Sequence, residues 1–101
     1  IDLNTNIPGS FELRQNYPNP FNPITTIEFS LVSEGLVNIS LYDIAGRKVK
    51  DIHSQTMGSG YHSIKLDASG ITSGMYLYSL NMIGKNNDLL FSSTRKLVLL
   101  K

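Results

Sequence analysis

The stretch that decides the fold is Thr25-Thr26-Ile27-Glu28-Phe29-Ser30-Leu31, in which polar and apolar side chains alternate. Because successive side chains of a β-strand point to opposite faces, this period of two predicts a half-buried strand. The alternation returns at residues 36–42 and 61–66, and again at residues 75–82, where both faces are fairly apolar. The last of these segments is therefore expected to be a central strand.

Turn-forming residues separate these segments. Glycine, serine and Asx residues cluster at residues 33–35, 43–46, 57–60, 67–74 and 84–88, where they favour chain reversal. No window has the three- and four-residue apolar spacing of a substantial helix. Short strands with turn signals at roughly 8–12-residue intervals predict an all-β fold, an immunoglobulin-like antiparallel β-sandwich of about seven strands.

Three of the predicted strands are less regular. One is a short strand at residues 11–14, and another is a long, β-prone strand at residues 89–101. The third lies at residues 47–52, where a β-bulge would bring Val49 and Ile52 to one face. The apolar positions that share a phase predict the core: Ile27, Phe29, Val37, Ile39, Leu41, Ile64, Leu66, Tyr76, Tyr78 and Leu80.

The first 23 residues contain two distinct segments. Residues 1–10 carry Asn, Thr, Pro and Gly without a period, which predicts a linker from an upstream domain and places the folded domain at residues 11–101. Residues 17–23 contain three prolines, and each proline fixes φ at about −65° and restricts the residue before it. We expect a rigid lead-in whose aromatic residues pack against a sheet edge.

Composition excludes several classes of protein. Nine Lys and Arg stand against eight Asp and Glu with no run of like charge, so a nucleic-acid partner is not expected. Cysteine is absent, which excludes disulfides and thiolate metal sites. The apolar runs fall far short of the about 20 residues of a transmembrane helix, so no transmembrane segment is predicted. We expect a monomer.

Residue types suited to catalysis do not form a recognisable pattern. The only imidazoles, His53 and His62, have no metal-ligand spacing, and His62 shares its face with apolar residues, as a structural histidine would. The acids near strand ends fit Asx turns, and neither Asp67 nor residues 86–88 follow the spacing of a calcium loop. We therefore expect no enzyme, no metal and no cofactor.

The string Asn16-Tyr17-Pro18-Asn19-Pro20-Phe21-Asn22-Pro23-Ile24-Thr25-Thr26-Ile27 resembles, almost letter for letter, the opening of type A C-terminal sorting domains of the type IX (Por) secretion system. Matching strings follow in the family's order at residues 41–47, 60–62, 73–76 and 95–101. Where the family usually has Trp-Asp-Gly, this chain has Leu-Asp-Ala. The motif residues, to which we assign a structural role, are Tyr17, Pro18, Asn19, Pro20, Phe21, Asn22, Pro23, Asp43, Gly46, Arg47, Gly74 and Tyr76.

The resemblance implies a non-catalytic signal that takes a covalently attached upstream carrier of a Bacteroidetes-like bacterium through the periplasm to the cell surface or the extracellular space. Its implied partners are the type IX outer-membrane translocon and a sortase-like peptidase that removes the domain. The resemblance also places the sorting determinant at the C-terminal strand, in Arg95, Lys96, Leu97, Val98, Leu99, Leu100 and Lys101.

A carbohydrate-binding or adhesive β-sandwich appended to a secreted enzyme is the alternative. Such modules commonly offer aromatic platforms, and Tyr42 and Tyr61 are the candidates here. Tryptophan is absent, however, and each tyrosine also has a packing explanation.

Overall fold

A computed structural model describes residues 8–101, which form seven β-strands in two antiparallel sheets. The strands are β1 (Glu12–Leu13), β2 (Ile24–Leu31), β3 (Gly35–Asp43), β4 (Lys48–Met57), β5 (Gly60–Asp67), β6 (Gly74–Ile83) and β7 (Leu89–Leu99). One sheet has the order β1-β2-β5 and the other the order β4-β3-β6-β7. The predicted seven-stranded all-β sandwich is therefore confirmed.

The core lies between the sheets and follows the alternation of the strands. Its members are Leu13, Phe21, Ile27, Phe29, Leu31, Val37, Ile39, Leu41, Leu66, Ala68, Tyr78, Leu80, Met82, Leu97 and Leu99. Eight of the ten predicted core residues are buried, while Ile64 and Tyr76 are only half-buried and pack against the cluster. Burial of each large apolar side chain stabilises the fold by roughly 1.5–3 kcal/mol.

The irregular strand β4 contains the expected bulge and a second irregularity. Ile52 has no partner in β3, because its neighbours Asp51 and His53 pair with consecutive residues of that strand. Val49 is likewise skipped where β4 begins. Ile52 packs against the core, but Val49 is 40% exposed. Two register shifts, where a single bulge was predicted, thus leave the two residues in different environments, with Val49 at the solvated edge.

Strand β6 lies between β3 and β7, which confirms the predicted central strand. Strand β7 pairs with β6 from Leu89 to Leu99 and is the last hydrogen-bonded strand of the four-stranded sheet. At the other end of the chain, Pro8 is buried and the Ser10 carbonyl accepts a hydrogen bond from Ser30 at 2.9 Å. Contacts with the sandwich thus begin before residue 11, and residues 1–7 of the predicted linker lie outside the described residues. No helix among residues 8–101 is both long and apolar enough to cross a membrane.

Candidate functional site

The proline-rich lead-in, which we now extend to residues 14–23, pairs with β2 through Tyr17 and Thr26 and then reaches the outer edge of β7. The backbone N–H of Phe21 donates to the Val98 carbonyl at 3.0 Å, and the backbone N–H of Leu100 donates to the Phe21 carbonyl at 3.0 Å. These two bonds form a parallel bridge between Phe21 and Leu99. The Phe21 side chain is 3% exposed, so the same residue is held by the core and by the strand edge.

Side chains from the N-terminal part of the chain complete the coverage of this edge. The Gln15 amide donates to the Lys96 carbonyl at 2.6 Å, and the Val98 N–H donates to the Asn19 side-chain oxygen at 2.9 Å. In addition, Arg95 Nε donates to the Leu13 carbonyl at 2.7 Å. The outward-facing backbone groups of residues 96, 98 and 100 are thus largely occupied, which removes the unpaired edge that would otherwise template another strand.

A buried polar cluster fixes the path of the lead-in. Asn16 is 2% exposed, and its side-chain amide donates to the Pro18 carbonyl at 3.1 Å and to Thr25 Oγ1 at 3.0 Å. Thr25 Oγ1 in turn donates to the same Pro18 carbonyl at 2.8 Å. The peptide bonds before Pro18, Pro20 and Pro23 are cis. Since buried polar groups are costly unless they are paired, this cluster specifies one path for the chain.

The Tyr78 hydroxyl joins the lead-in to the central strand. It accepts a hydrogen bond from the Asn16 N–H at 2.8 Å and donates one to the Arg14 carbonyl at 2.6 Å. Burial, opposed in part by the hydrogen bond from Asn16, raises the pKa of Tyr78 to about 12. The hydroxyl therefore stays protonated near neutral pH and can serve as donor and acceptor at once.

The residues predicted to form the sorting determinant differ in their accessibility. Leu97 and Leu99 are buried in the core. Lys96 is exposed, Val98 is half-buried, and Leu100 is 55% exposed. The apolar residues 97–100 of the predicted determinant are thus divided between the core and the surface.

The two remaining residues of the predicted determinant make backbone contacts. Arg95 holds the Leu13 carbonyl, as described above. Lys101 is attached to the loop before β6, because its N–H donates to Ser73 Oγ at 3.0 Å and its Nζ donates to the Ser69 carbonyl at 2.7 Å. The end of the described chain is therefore held by hydrogen bonds as well as by the apolar residues that precede it.

The motif residues, scattered in sequence, converge at one end of the sandwich. Asp43 at the end of β3 lies opposite Tyr76, which lies opposite Leu97. Gly74 lies opposite Leu99, which is bridged in turn to the lead-in. The family strings at residues 16–27, 41–47, 73–76 and 95–101 thus meet around the C-terminal strand, whereas the string at residues 60–62 lies at the other end of the sandwich, where Gly60 pairs with Leu31.

The motif at residues 43–47 is a tight turn at this end. Asp43 Oδ1 accepts hydrogen bonds from the Ala45 and Arg47 N–H groups at 3.0 and 2.9 Å, and its other oxygen pairs with Arg47 Nε at 3.1 Å. The hydrogen bond from the Arg47 backbone is the main cause that lowers the pKa of Asp43. Gly46 has φ of +88°, a conformation that side chains disfavour.

The two histidines have structural neighbours. Nε2 of His53 lies 3.2 Å from Met57 Sδ, and desolvation, assisted by electrostatic interaction with His62, lowers the pKa of His53. His62 stacks on Phe29 with ring centroids 5.4 Å apart, and its Nε2 lies 2.8 Å from the Gly58 carbonyl. Within residues 8–101, no group of three or more His, Cys, Asp and Glu side chains is placed to hold a metal ion.

The aromatic residues considered for carbohydrate binding are separated. Tyr61 on β5 is 62% exposed, whereas Tyr42 on β3 is half-buried and belongs to the other sheet. Polar side chains beside Tyr42 bond to one another, as in the 3.1 Å contact from Ser40 Oγ to Asp51 and the 2.6 Å contact from Ser54 Oγ to Asn38. Two coplanar aromatic platforms are therefore not formed.

Several contacts that hold the lead-in could not be predicted from the sequence. The roles of Gln15, Thr25 and the Tyr78 hydroxyl depend on partners far away in the chain, and alternation reports only that Tyr78 faces inward. Asn16 lies inside the string that resembles the opening of the sorting-domain family, and this resemblance was the only feature of the sequence that pointed to a role for Asn16.

Fold and site together define a small all-β module in which most of the sequence motifs are gathered around its own C-terminal strand. Residues 15–99 match the family model described as the secretion system C-terminal sorting domain, and the chain belongs to this family. Membership implies export to the cell surface or extracellular space, and association with the type IX system and with a carrier protein.

No curated protein matches the chain. Among solved structures, the fold is similar to that in the crystal structure of CopC from Methylosinus trichosporium OB3b, with 14% sequence identity and a TM-score of 0.51. The similarity covers 89% of this chain and 93% of that chain. At this identity the comparison supports the sandwich fold alone.

Proposed function

We propose that this chain is a non-catalytic secretion signal that directs a covalently attached upstream carrier across the outer membrane through the type IX translocon. The observation that carries the proposal is the match of residues 15–99 to the sorting-domain family. The gathering of most of the family motifs around β7 supports it, because a signal read at the C-terminal strand requires that strand to be held in a fixed arrangement.

The domain acts as a preformed ligand of the export machinery. The carrier enters the periplasm, where the domain folds and is recognised. Because the lead-in and the core already fix the C-terminal strand, its recognition loses little conformational entropy. A sortase-like peptidase then cuts on the N-terminal side of the domain, within or near the predicted linker, and releases the carrier at the surface.

Catalysis has no part in this function. The imidazoles of His53 and His62 contact Met57 and a backbone carbonyl. Asp43 pairs with Arg47, and Asp51 pairs with Lys48 at 2.9 Å. These side chains serve turns, edges and ion pairs, and they do not form a nucleophile, base and orienting group in mutual contact.

The test is export of a reporter that carries a signal peptide and residues 1–101 at its C-terminus in a type IX-competent bacterium. We expect the fusion to reach the surface or the medium, and we expect deletion of residues 96–101 to leave the reporter in the periplasm. Alteration of residues 1–7 should leave export intact, since these residues belong to the predicted linker and precede the buried Pro8.

A second variant separates recognition from folding, because the deletion also removes the buried Leu97 and Leu99. Lys96→Glu keeps both leucines and keeps the backbone carbonyl that Gln15 binds. Arg95 is left unchanged because its guanidinium holds the Leu13 carbonyl. We expect Lys96→Glu to melt like the wild type and to accumulate in the periplasm. Surface export of the deleted fusion would overturn the proposal.

A further inference from the structure

At residues 96–100, the end of the C-terminal strand has two faces and two edges, and three of these four sides are already occupied within the domain, the first being the edge that pairs with β6. Its inward face places Leu97 and Leu99 in the core. Its free edge is hydrogen bonded to Phe21, to Gln15 and to Asn19. A partner that adds a β-strand to this edge would have to displace the lead-in and its buried anchors. At residues 96–100, only the outward face of the strand is left for direct contact.

The outward face of β7 continues into a patch across three strands. Tyr42 of β3 lies opposite Leu77 of β6, and Leu77 lies opposite Lys96 of β7. The next pair on the same face, two residues further along β7, is formed by Met75 of β6 and Val98 of β7. Met75 is 49% exposed, Lys96 is exposed, and the other three are half-buried. We call these five residues the outer-face patch.

The middle of the same sheet face has a different chemistry. There, Ser54 donates to the Asn38 side chain at 2.6 Å, and Ser92 donates to the Asn81 side chain at 2.8 Å. Ser79 and Thr94 bring their hydroxyls within 3.1 Å of each other. These polar pairs satisfy one another, so the apolar side chains of the outer-face patch are set apart from the centre of the sheet.

The charge at the patch is positive. Lys48, which lies opposite Tyr42, is neutralised by Asp51 at 2.9 Å. Among residues 8–101, no carboxylate forms an ion pair with Lys96. A partner surface that offered apolar side chains and a carboxylate would therefore match the patch in both hydrophobicity and charge.

We propose that the outer-face patch is the docking surface for a receptor protein of the translocon, whose contact surface is apolar and places a carboxylate at Lys96. The proposal rests on the proposed sorting function and assigns the recognition to residues of β3 and β6 as well as β7. Tyr42, Met75 and Leu77 thus become specificity residues although they lie outside the C-terminal strand.

The experiment compares Leu77→Glu with Ile83→Glu in the reporter fusion. Both residues lie on β6, both are half-buried, and both alternate with the core positions of that strand, but Ile83 lies at the opposite end of the sheet. We expect Leu77→Glu to reduce surface reporter by about tenfold or more, as substitution of a central contact residue does. Ile83→Glu should remain within about twofold of the wild type, as a position outside the interface would.

Folding and the partner class are measured on the same variants. If Leu77→Glu lowers the melting temperature, the more exposed Met75→Glu replaces it with the same expected loss of export. Co-sedimentation of the wild type with anionic phospholipid vesicles, lost in the Leu77 variant, would assign the patch to lipid and overturn the protein partner.

Failure of this inference is distinguishable from failure of the sorting function. If Leu77→Glu and Met75→Glu fold and export like the wild type while deletion of residues 96–101 blocks export, the patch is not the docking surface and the sorting function stands. If the unaltered fusion is not exported, the sorting function itself is wrong and the docking surface falls with it.

Discussion

Replacement of Tyr78 by Phe tests how much the buried hydroxyl contributes to holding the lead-in on the sandwich. The substitution keeps the aromatic ring in the core and removes only the oxygen that bonds to Asn16 and Arg14 at 2.8 and 2.6 Å. The N–H of Asn16 then has no partner in a residue that is 2% exposed. Arg14 is exposed, so its carbonyl can be satisfied by water.

The expected loss follows from these two groups. A buried donor left without its partner costs about 1–3 kcal/mol, and the lost bond to the Arg14 carbonyl adds about 0.5–1.5 kcal/mol. Together they predict that the free energy of unfolding falls by about 1.5–4.5 kcal/mol. For a domain of this size, at about 4–8 °C per kcal/mol, that corresponds to a melting temperature lower by roughly 6–36 °C.

Thermal melts followed by circular dichroism measure this change, and Tyr61→Phe is the matched control. Tyr61 is 62% exposed, so loss of its hydroxyl should alter stability by less than about 0.5 kcal/mol. Amide exchange at Asn16 should accelerate in the Tyr78 variant alone. A Tyr78→Phe protein that melts within about 3 °C of the wild type, with the Asn16 amide still protected from exchange, would refute the assigned role of the hydroxyl. A shift of about 3 °C is smaller than the roughly 4–8 °C expected for a loss of 1 kcal/mol.

Phe21→Ala should lower stability by about 3–5 kcal/mol, the usual cost of truncating a buried Phe, and a denaturant midpoint unchanged from the wild type would contradict its anchoring role. Gly46→Ala should cost about 1–2 kcal/mol because of its positive φ, and an unaltered melting temperature would show that the turn relaxes. As pH rises from 10.0 to about 12, the free energy of unfolding should fall progressively, by up to about 3 kcal/mol, because the raised pKa of Tyr78 lets the unfolded chain ionise first. This loss should be absent in Tyr78→Phe. An equal loss of stability at alkaline pH in the two proteins would exclude ionisation of Tyr78 as its cause. As pH falls below 6.5, the free energy of unfolding should fall, because the lowered pKa of His53 in the folded state makes protonation favour the unfolded chain. This loss should be absent in His53→Gln. The same dependence of stability on acid pH in the two proteins would contradict the burial of the His53 imidazole.

Strand alternation predicted most of the fold because local period reports directly which side chains face the core. Ile27, Ile39 and Leu80 all lie in regular strands and are all buried. The assignment was less accurate for Ile64 and Tyr76, which have the right phase but are only half-buried. Phase gives the face that a residue occupies, whereas depth depends on the neighbouring strands and on how near the residue lies to an edge.

The candidate site was predictable only in part. The Asp43 to Gly46 turn could be read locally, since an Asx side chain and a glycine are the residues that such a turn requires. The bonds from Gln15 to Lys96 and from Phe21 to Val98 join residues about 80 positions apart, and no local pattern encodes that pairing. The lead-in was expected to pack on a sheet edge, but the identity of that edge required the tertiary structure.

The most direct measurement of the central claim is the location of the reporter fused to residues 1–101 in two otherwise identical strains, one with an intact type IX translocon and one without it. A sorting domain predicts reporter on the surface or in the medium of the first strain and reporter confined to the periplasm of the second. The same distribution in both strains would contradict the claim that this domain is read by the type IX system.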